Sequence, residues 1–352
     1  MRNALFPHME WAKALAARPL PVPLGWSGAP NPALAALREH GPQEAELVRR
    51  IARRHGVPSS HVYLTGGTSL ANFVAIAAFA DPGDAVVVET PRYGSLAEIP
   101  RGLGCRVLDL PRDPEGGLAE PPAEGTLLVV TNPHNPTGRL LTEADWGRLE
   151  RFARRGVVLV DEVYRDLQPR PPRVAAARHA RFLTTASLTK SYGLGALRLG
   201  WVLAAPPLLD RVRRVDNLVS VAVSMPSVLL ALRLWPRLPA LRQRALRHRA
   251  GNLARLRASG LRFVAPQAGL TALVEAGDGD AAAAAAAQEG VAVVPGSFFQ
   301  APSCVRVFLG AEPAAFRRGI ETLRRLVRGR TGPAARSRRR APGARGTGAG
   351  AS

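Results

Sequence analysis

The sequence predicts an α/β fold: a mostly parallel, seven-stranded-type sheet with helices on both faces, a smaller α/β C-terminal domain, and an N-terminal arm. Three observations lead there. Apolar runs alternate with helical patterns from residue 62 to residue 204. Several of these runs are bare of polar residues, as strands covered on both faces are. And 352 residues can bury a large core and form two domains.

Residues 1–40 are Pro-rich and read as an irregular arm. Residues 43–55 read as an amphipathic helix. Val62–Thr65 is a short strand, Gly66-Gly67-Thr68 a turn, and 69–80 a largely apolar helix. Strand 85–89, helix 94–103 and strand 105–108 follow. Strands 126–130 and 157–160 flank helix 142–154, and strands 182–186 and 200–204 complete the sheet. Residues 206–260 are mostly helical. The smaller unit has strands near 261–264, 270–274, 291–294 and 304–308, with helices at 280–289 and 312–328. The alanine run 281–287 follows from helix propensity alone. The resulting division is an arm (1–40), a large domain (41–235), a small domain (236–328) and a tail (329–352).

Composition excludes several classes. Hydrophobic content of 46% and charged content of 21% suit a globular protein. The N-terminus lacks the apolar core of a secretory signal, and Pro226 and Arg233 interrupt the longest apolar stretch, 220–235. Cys105 and Cys304 form neither a disulfide framework nor a ligand cluster, which fits a cytoplasmic protein with no metal. The net charge of +21 invites a nucleic-acid reading, but seven arginines and no acid lie in 328–352, a Gly/Ala/Pro/Arg tail expected to be disordered. No zinc spacing or aromatic RNA-binding pattern accompanies it, so neither nucleic acid nor membrane is an expected partner.

In parallel α/β sheets, ligand-binding residues gather at the carboxyl ends of strands. Those ends carry Gly66-Gly67-Thr68, Pro91-Arg92-Tyr93, Asn132–Gly138 (NPHNPTG), Asp161 with Tyr164, and Ser187 with Lys190. Lys190 is one of two lysines in an arginine-rich chain; the other is Lys13. Arginine holds a phosphate or carboxylate as well as lysine does. It cannot form a Schiff base, whereas a lysine amine can. A solvated surface charge is the alternative for Lys190 taken alone. Together the strand ends suit pyridoxal 5'-phosphate, whose aldehyde needs a lysine, ring nitrogen a carboxylate, and phosphate amides, hydroxyls and an arginine.

Here the chain resembles fold-type I pyridoxal-phosphate enzymes of the class I/II aminotransferase family. The matching segments are Thr65–Thr68, Asn132–Gly138, Asp161–Tyr164, Ser187–Lys190 followed by Arg198, and Pro295–Phe299 ahead of Arg306, in the family's order over about residues 10–328. The resemblance implies that Lys190 carries the internal aldimine and shuttles the proton. It implies that Asp161 pairs with the pyridinium nitrogen, that Asn135 and Tyr164 bond the ring's 3' oxygen, and that Tyr93 stacks on the ring. Gly67, Thr68, Ser187 and Arg198 would hold the phosphate, Arg306 the substrate α-carboxylate, and Trp26 would lie over the substrate. Singly, each has a plainer reading: a helix cap for Asp161, a turn former for Asn135, a loop aromatic for Tyr93, arm packing for Trp26, one arginine among many for Arg306.

The chain departs from the family where a tyrosine of the neighbouring subunit usually reaches the phosphate. That region reads Arg38-Glu39-His40-Gly41-Pro42, so His40 replaces the tyrosine or no residue does. No second arginine for a side-chain carboxylate is evident. The expected function is amino-group transfer between an amino acid and a 2-oxo acid, in a homodimer with shared sites. The alternatives are another reaction of the same cofactor (cyclisation, elimination, decarboxylation or oxidation, including of an arginine derivative) and a non-catalytic regulatory protein.

Overall fold

A computed structural model of the chain describes residues 6–17, 41–113, 117–168 and 170–331. The large sheet is built from β1 (Val62–Thr65), β2 (Ala85–Thr90), β3 (Arg106–Pro111), β4 (Leu127–Thr131), β5 (Val157–Asp161), β6 (Phe182–Ser187) and β7 (Gly200–Leu203). Their order is β1-β7-β6-β5-β4-β2-β3. Only β7 runs against its neighbours, pairing antiparallel with both β1 and β6. The central strands are bare apolar runs because both faces are buried, and the pleat sends alternate residues to opposite layers. Val86, Val88, Leu127, Val129 and Leu159 pack with α3 (Thr68–Phe79) and α7 (Pro206–Asp216). Val87, Leu128, Val130, Val158 and Val160 pack instead with Trp146, Leu149 and Phe152 of α5 (Glu143–Ala153). That helix starts at a capping box, in which Thr142 and Asp145 satisfy each other's backbone N–H.

A third apolar cluster joins α2 (Pro42–His55) and α8 (Met225–Leu234) to Trp201 of β7. The second sheet is a three-stranded antiparallel one of order β8-β10-β9, from β8 (Thr271–Glu275), β9 (Val294–Pro295) and β10 (Cys304–Phe308). It packs with α10 (Gly279–Gln288), α11 (Pro313–Thr331) and the end of α9 (Leu238–Ala258). The long α9 ties the two sheets. Arg242 donates to the carbonyl of Gln168 beside the large sheet, and Asn252 donates to the carbonyls of Leu309 and Ala311 after β10.

Three expectations need correction. The N-terminal segment is not wholly irregular: Pro7–Ala17 is a helix, α1, held to α7 through Glu10, which accepts from Asn217 at 2.7 Å and pairs with Arg213. No strand forms at 261–264, where Phe263 makes only a lone bridge to Val274. Of the run 291–294 only Val294 is in a strand, paired with Arg306 as the start of the two-residue β9 (Val294–Pro295). Among the described residues no helix is long and apolar enough to cross a membrane, and no cluster of metal-ligating side chains exists.

Glu162, the residue after β5, is fully buried. Its Oε2 accepts a long bond from the Ala175 amide at 3.3 Å, the Thr184 hydroxyl lies beside the carboxyl, and Oε1 has no hydrogen-bond partner. Burial pushes this carboxyl up from 4.5 to about 8, against the pull of Arg165. A carboxyl whose folded-state pKa is raised stabilises the fold in its protonated form. That contribution is full below the ordinary carboxyl range and is lost as pH rises through about 8. Glu162→Gln, neutral and nearly isosteric, should therefore flatten the fall in thermal midpoint between about pH 5 and pH 9. An unchanged pH slope in the variant would show that Glu162 ionises freely in the folded protein.

Candidate active site

The carboxyl ends of the central strands form a level ledge. Thr131, Asp161 and Thr185 are register partners across β4, β5 and β6. One step along, Ser187 stands opposite Gly200, which stands opposite Thr65. Gly200 is required there: a Cβ would lie 2.7 Å from the Gly67 carbonyl carbon, where the chain leaving β1 crosses β7. Gly67 itself has φ 96 and presses against Arg198, whose Nη2 would be 2.9 Å from an added Cβ. Arg198 is fixed in turn by a left-handed backbone, φ 46, and a 3.2 Å bond to the Gly66 carbonyl.

Above the ledge lies a cavity of about 280 Å³. Of the residues expected from sequence, Thr68, Tyr93, Asn135, Asp161, Tyr164, Ser187, Lys190, Arg198 and Arg306 line it. Gly67 contributes the backbone behind Arg198. Trp26 and His40 lie outside the described residues. The floor (Asp161, Tyr164, Ser187) is buried, while the rim (Tyr93, Lys190, Arg198) is exposed. Lys190 sits in the one-turn helix α6 (Thr189–Tyr192) that follows β6.

Asp161 is the buried charge at the centre. Its Oδ2 accepts from the Asn72 amide at 2.8 Å and its Oδ1 from the Val163 N–H at 3.0 Å. Burial raises its pKa; the Asn72 and Val163 donors and the Lys190 charge oppose that rise. No guanidinium or ammonium group bonds it directly among the described residues.

Arg306 reaches the cavity from β10. It donates to Asn135 Oδ1 at 3.0 Å and lies over the Phe299 ring at 4.6 Å. Both partners are neutral, so its charge faces the cavity without a carboxylate among the described residues. Burial lowers its pKa and the phenols of Tyr164 and Tyr93 raise it. Because Asn135 Oδ1 is engaged, its amide NH₂ is the end left for the cavity. Burial also raises the Tyr164 pKa, with Arg306 opposing. The phenol is therefore a hydrogen-bond donor at neutral pH.

The NPHNPTG loop rests on a buried network that the sequence reading missed. Arg112 pairs with Glu89 at 2.8 Å, and Glu89 Oε1 accepts from both the N–H and the hydroxyl of Thr131, at 2.6 and 2.5 Å. Thr131 Oγ1 in turn accepts from the Asn135 N–H at 3.1 Å. His134 bridges the Thr137 hydroxyl and the Pro91 carbonyl, at 2.6 and 2.8 Å. Burial and the Arg112 charge depress the His134 pKa, so the ring is neutral, with Nε2–H donating to Pro91 and Nδ1 accepting from Thr137. Asn72 was missed as well. Its signal was available: it is a lone amide in an apolar helix, four residues after Thr68 and so on the same helix face.

Pyridoxal phosphate fits these residues. The Thr68 hydroxyl, at the N-terminus of α3, is buried without a partner, beside the exposed Arg198 guanidinium and the Cβ-free surface of Gly67. Orphan donors at a helix N-terminus, next to an arginine, form a phosphate seat. Asp161 is a buried carboxylate to which no cation bonds among the described residues; a pyridinium N–H would supply one. Lys190 lines the same cavity.

A protein-family model, "Aminotransferase class I and II", matches residues 35–323. Histidinol-phosphate aminotransferase 1 of Cupriavidus pinatubonensis is 30% identical over 329 residues, 85% of each chain. Capreomycidine synthase of Streptomyces vinaceus is 30% identical over 353 aligned positions, covering 89% of this chain and 88% of that one. Among solved structures, a mutant aspartate aminotransferase of Thermus thermophilus superposes with a TM-score of 0.73 over 92% of this chain and 93% of that one, at 24% identity. That likeness concerns the fold. With the family model spanning most of its length, the chain belongs to the class I and II aminotransferases, which work through pyridoxal phosphate.

Proposed function

We propose that this aminotransferase binds an amino acid or 2-oxo acid by its carboxylate at Arg306 and reacts it beside Lys190. The observation that carries this reading is Arg306 itself: a half-buried guanidinium, fixed by neutral partners and aimed into the cavity that Lys190 lines. Bound pyridoxal phosphate supplies a reactive aldehyde and a ring that accepts electrons. The chain's residues divide the remaining work. Thr68, Ser187, Arg198 and the Gly67 backbone hold the phosphate. Asp161 keeps a proton on the ring nitrogen. Asn135 and Tyr164 donate to the ring's phenolic oxygen, and Tyr93 covers one face. The Arg306 fork fixes the carboxylate and so aims the substrate Cα–H at Lys190, whose Nζ takes that proton and returns it.

A homodimer is part of this reading. Leu218, Val219, Leu229 and Leu230 are large apolar side chains left exposed at the end of α7 and on α8. The rim residues Lys190, Arg198 and Tyr93 are also open on one side, as a site completed by a second subunit would be. A fully active monomer at micromolar concentration, by sedimentation and assay together, would rule the dimer out. A second reading keeps the cofactor and changes the reaction. The similarity to a capreomycidine synthase, as high as that to a histidinol-phosphate aminotransferase, supports it. Product analysis with a panel of amino acids, with and without a 2-oxo acid, separates the two.

Borohydride should fix the cofactor covalently on Lys190, detected as a mass shift on its peptide. Lys190→Arg should fold, bind phosphate and lose turnover, because the guanidinium keeps the charge but not the amine chemistry. Substantial activity in Lys190→Arg would end the assignment.

Arg306→Lys and Arg198→Lys should fail differently. The first keeps a charge but loses the bidentate fork, worth roughly 1.5–3 kcal/mol, so kcat/KM should fall about ten- to a hundredfold with cofactor affinity intact. The second should loosen the cofactor first. Titrating each variant separately with cofactor and with amino acid checks both; identical defects in the two would mean that the carboxylate is held elsewhere.

A further inference from the structure

Asn72 and Thr185 form a relay behind Asp161 that the family's signature motifs do not mention. The Thr185 hydroxyl donates to Asn72 Oδ1 at 2.6 Å, and Asn72 Nδ2 donates to Asp161 Oδ2 at 2.8 Å. All three side chains are buried, and they come from three elements: β6, α3 and β5. We propose that Asn72 is a positioning residue that aims the Asp161 carboxylate and keeps it ionised, and that Thr185 acts only by holding the Asn72 amide the right way round.

The chemistry is one-directional. An ionised carboxylate only accepts, so the amide must offer its NH₂ to Asp161 and its oxygen elsewhere. A buried amide free to turn could present that oxygen to the carboxylate, a repulsive contact. The Thr185 hydroxyl accepts no bond from Asn72 in this arrangement; it donates, and so selects the productive orientation. The register places it there, because Thr185 is the direct partner of Asp161 on the neighbouring strand.

The relay is also suited to its task by being neutral. A buried carboxylate needs stabilising or it takes up a proton. An arginine would hold it ionised but would spend its charge in an ion pair. Asn72 and the Val163 N–H supply donors without a competing cation. The carboxylate's charge is then left for a cationic ring N–H on the cavity side. The charged or titratable groups facing Asp161 are Lys190 and Tyr164. Neither bonds it directly.

This inference rests on Asp161 being the ring-nitrogen partner, so the experiment includes Asp161→Asn. Cofactor dissociation constants are measured across pH for the holoenzyme variants Asp161→Asn, Asn72→Leu, Thr185→Val and the Asn72→Leu/Thr185→Val pair. Asn72→Leu should weaken cofactor binding on the order of tenfold. It should also move the acid-side loss of affinity to higher pH, because the carboxyl has lost a donor that lowers its pKa. A mere packing defect would lower affinity equally at every pH. Thr185→Val should show a smaller effect of the same kind, and no further effect when Asn72 is already leucine. A pH-independent loss, unchanged affinity in Asn72→Leu, or additive single effects would overturn the relay. If Asn72→Leu does not fold, Thr185→Val decides alone, and wild-type affinity and pH profile in it overturn the proposal. If Asp161→Asn itself behaves as wild type, the reading of Asp161 has failed and the relay fails with it. A defect in Asp161→Asn alone removes only the relay.

Discussion

The Glu89–Arg112 ion pair underlies the cofactor loop and much of what stands on it. Both groups are essentially excluded from solvent. Such a pair is costly to bury, and losing one member typically costs about 3–5 kcal/mol because the other charge is stranded. It is tolerable here because most of the remaining polar atoms are used, Arg112 Nε being the exception. Arg112 also donates to the Thr131 carbonyl, and Glu89 accepts twice from Thr131. The pair thereby clamps the end of β4 to the end of β2. From Thr131 the constraint passes to Asn135, and from Asn135 Oδ1 to Arg306 on the second sheet. A chain of bonds thus runs from the core of one sheet to the substrate-facing guanidinium of the other. Neutral His134 adds a strut between the same two loops.

A second cluster stabilises the other side of the cavity. Asp166 lies two residues beyond Tyr164 and Tyr192 two beyond Lys190, and these two side chains are hydrogen-bonded to each other. Arg54 of α2 pairs with Asp166 at 3.1 Å, and Arg165 adds a contact at 3.2 Å. The positive neighbours and the Tyr192 bond keep Asp166 below the usual carboxylate range despite its burial. The turns carrying Tyr164 and Lys190 are therefore held relative to each other through Asp166. Nothing in this cluster need touch a ligand. Its consequence is that the turns carrying a phenol and an amine, which follow separate strands, are tied to each other.

What the sequence revealed and what it hid follow from the range of the forces involved. Strands such as β2, β4 and β5 were legible because burial on both faces leaves them almost bare of polar residues. The strand-end residues were legible because function there concentrates glycine, lysine, tyrosine and asparagine in short runs. The Glu89–Arg112–Thr131 network was not, since its members are separated by long loops and their meeting depends on β2 and β4 becoming neighbours. The arm's helix was missed because its stability comes from Glu10 meeting Arg213 and Asn217 some two hundred residues away, not from its own apolar pattern. β9 is short because only Val294 and Pro295 find partners on β10, a pairing that no periodicity records. Trp26 and His40 lie outside the described residues, so the arm's share of the site rests on the sequence alone.

Asp161 and Glu162 together show how the fold decides which buried carboxyl stays charged. They are adjacent, both are almost wholly excluded from solvent, and both have raised pKa values for the same first reason, burial. At the end of a strand, successive side chains point to opposite sides. Asp161 faces the cavity, where each oxygen has a donor and a lysine stands near. Glu162 faces the Ala175 turn, where the Ala175 N–H gives one long bond, the Thr184 hydroxyl lies near and Oε1 has no partner. Two adjacent ionised carboxylates would also repel each other. The donors are distributed so that the negative charge resides on the residue facing the ligand, and the proton on the residue facing the core. Asn72 is the member of this arrangement that gives Asp161 a side-chain donor. An alanine, the commonest neighbour in that helix, would remove the donor to Asp161 Oδ2 and leave that carboxylate closer to the situation of Glu162.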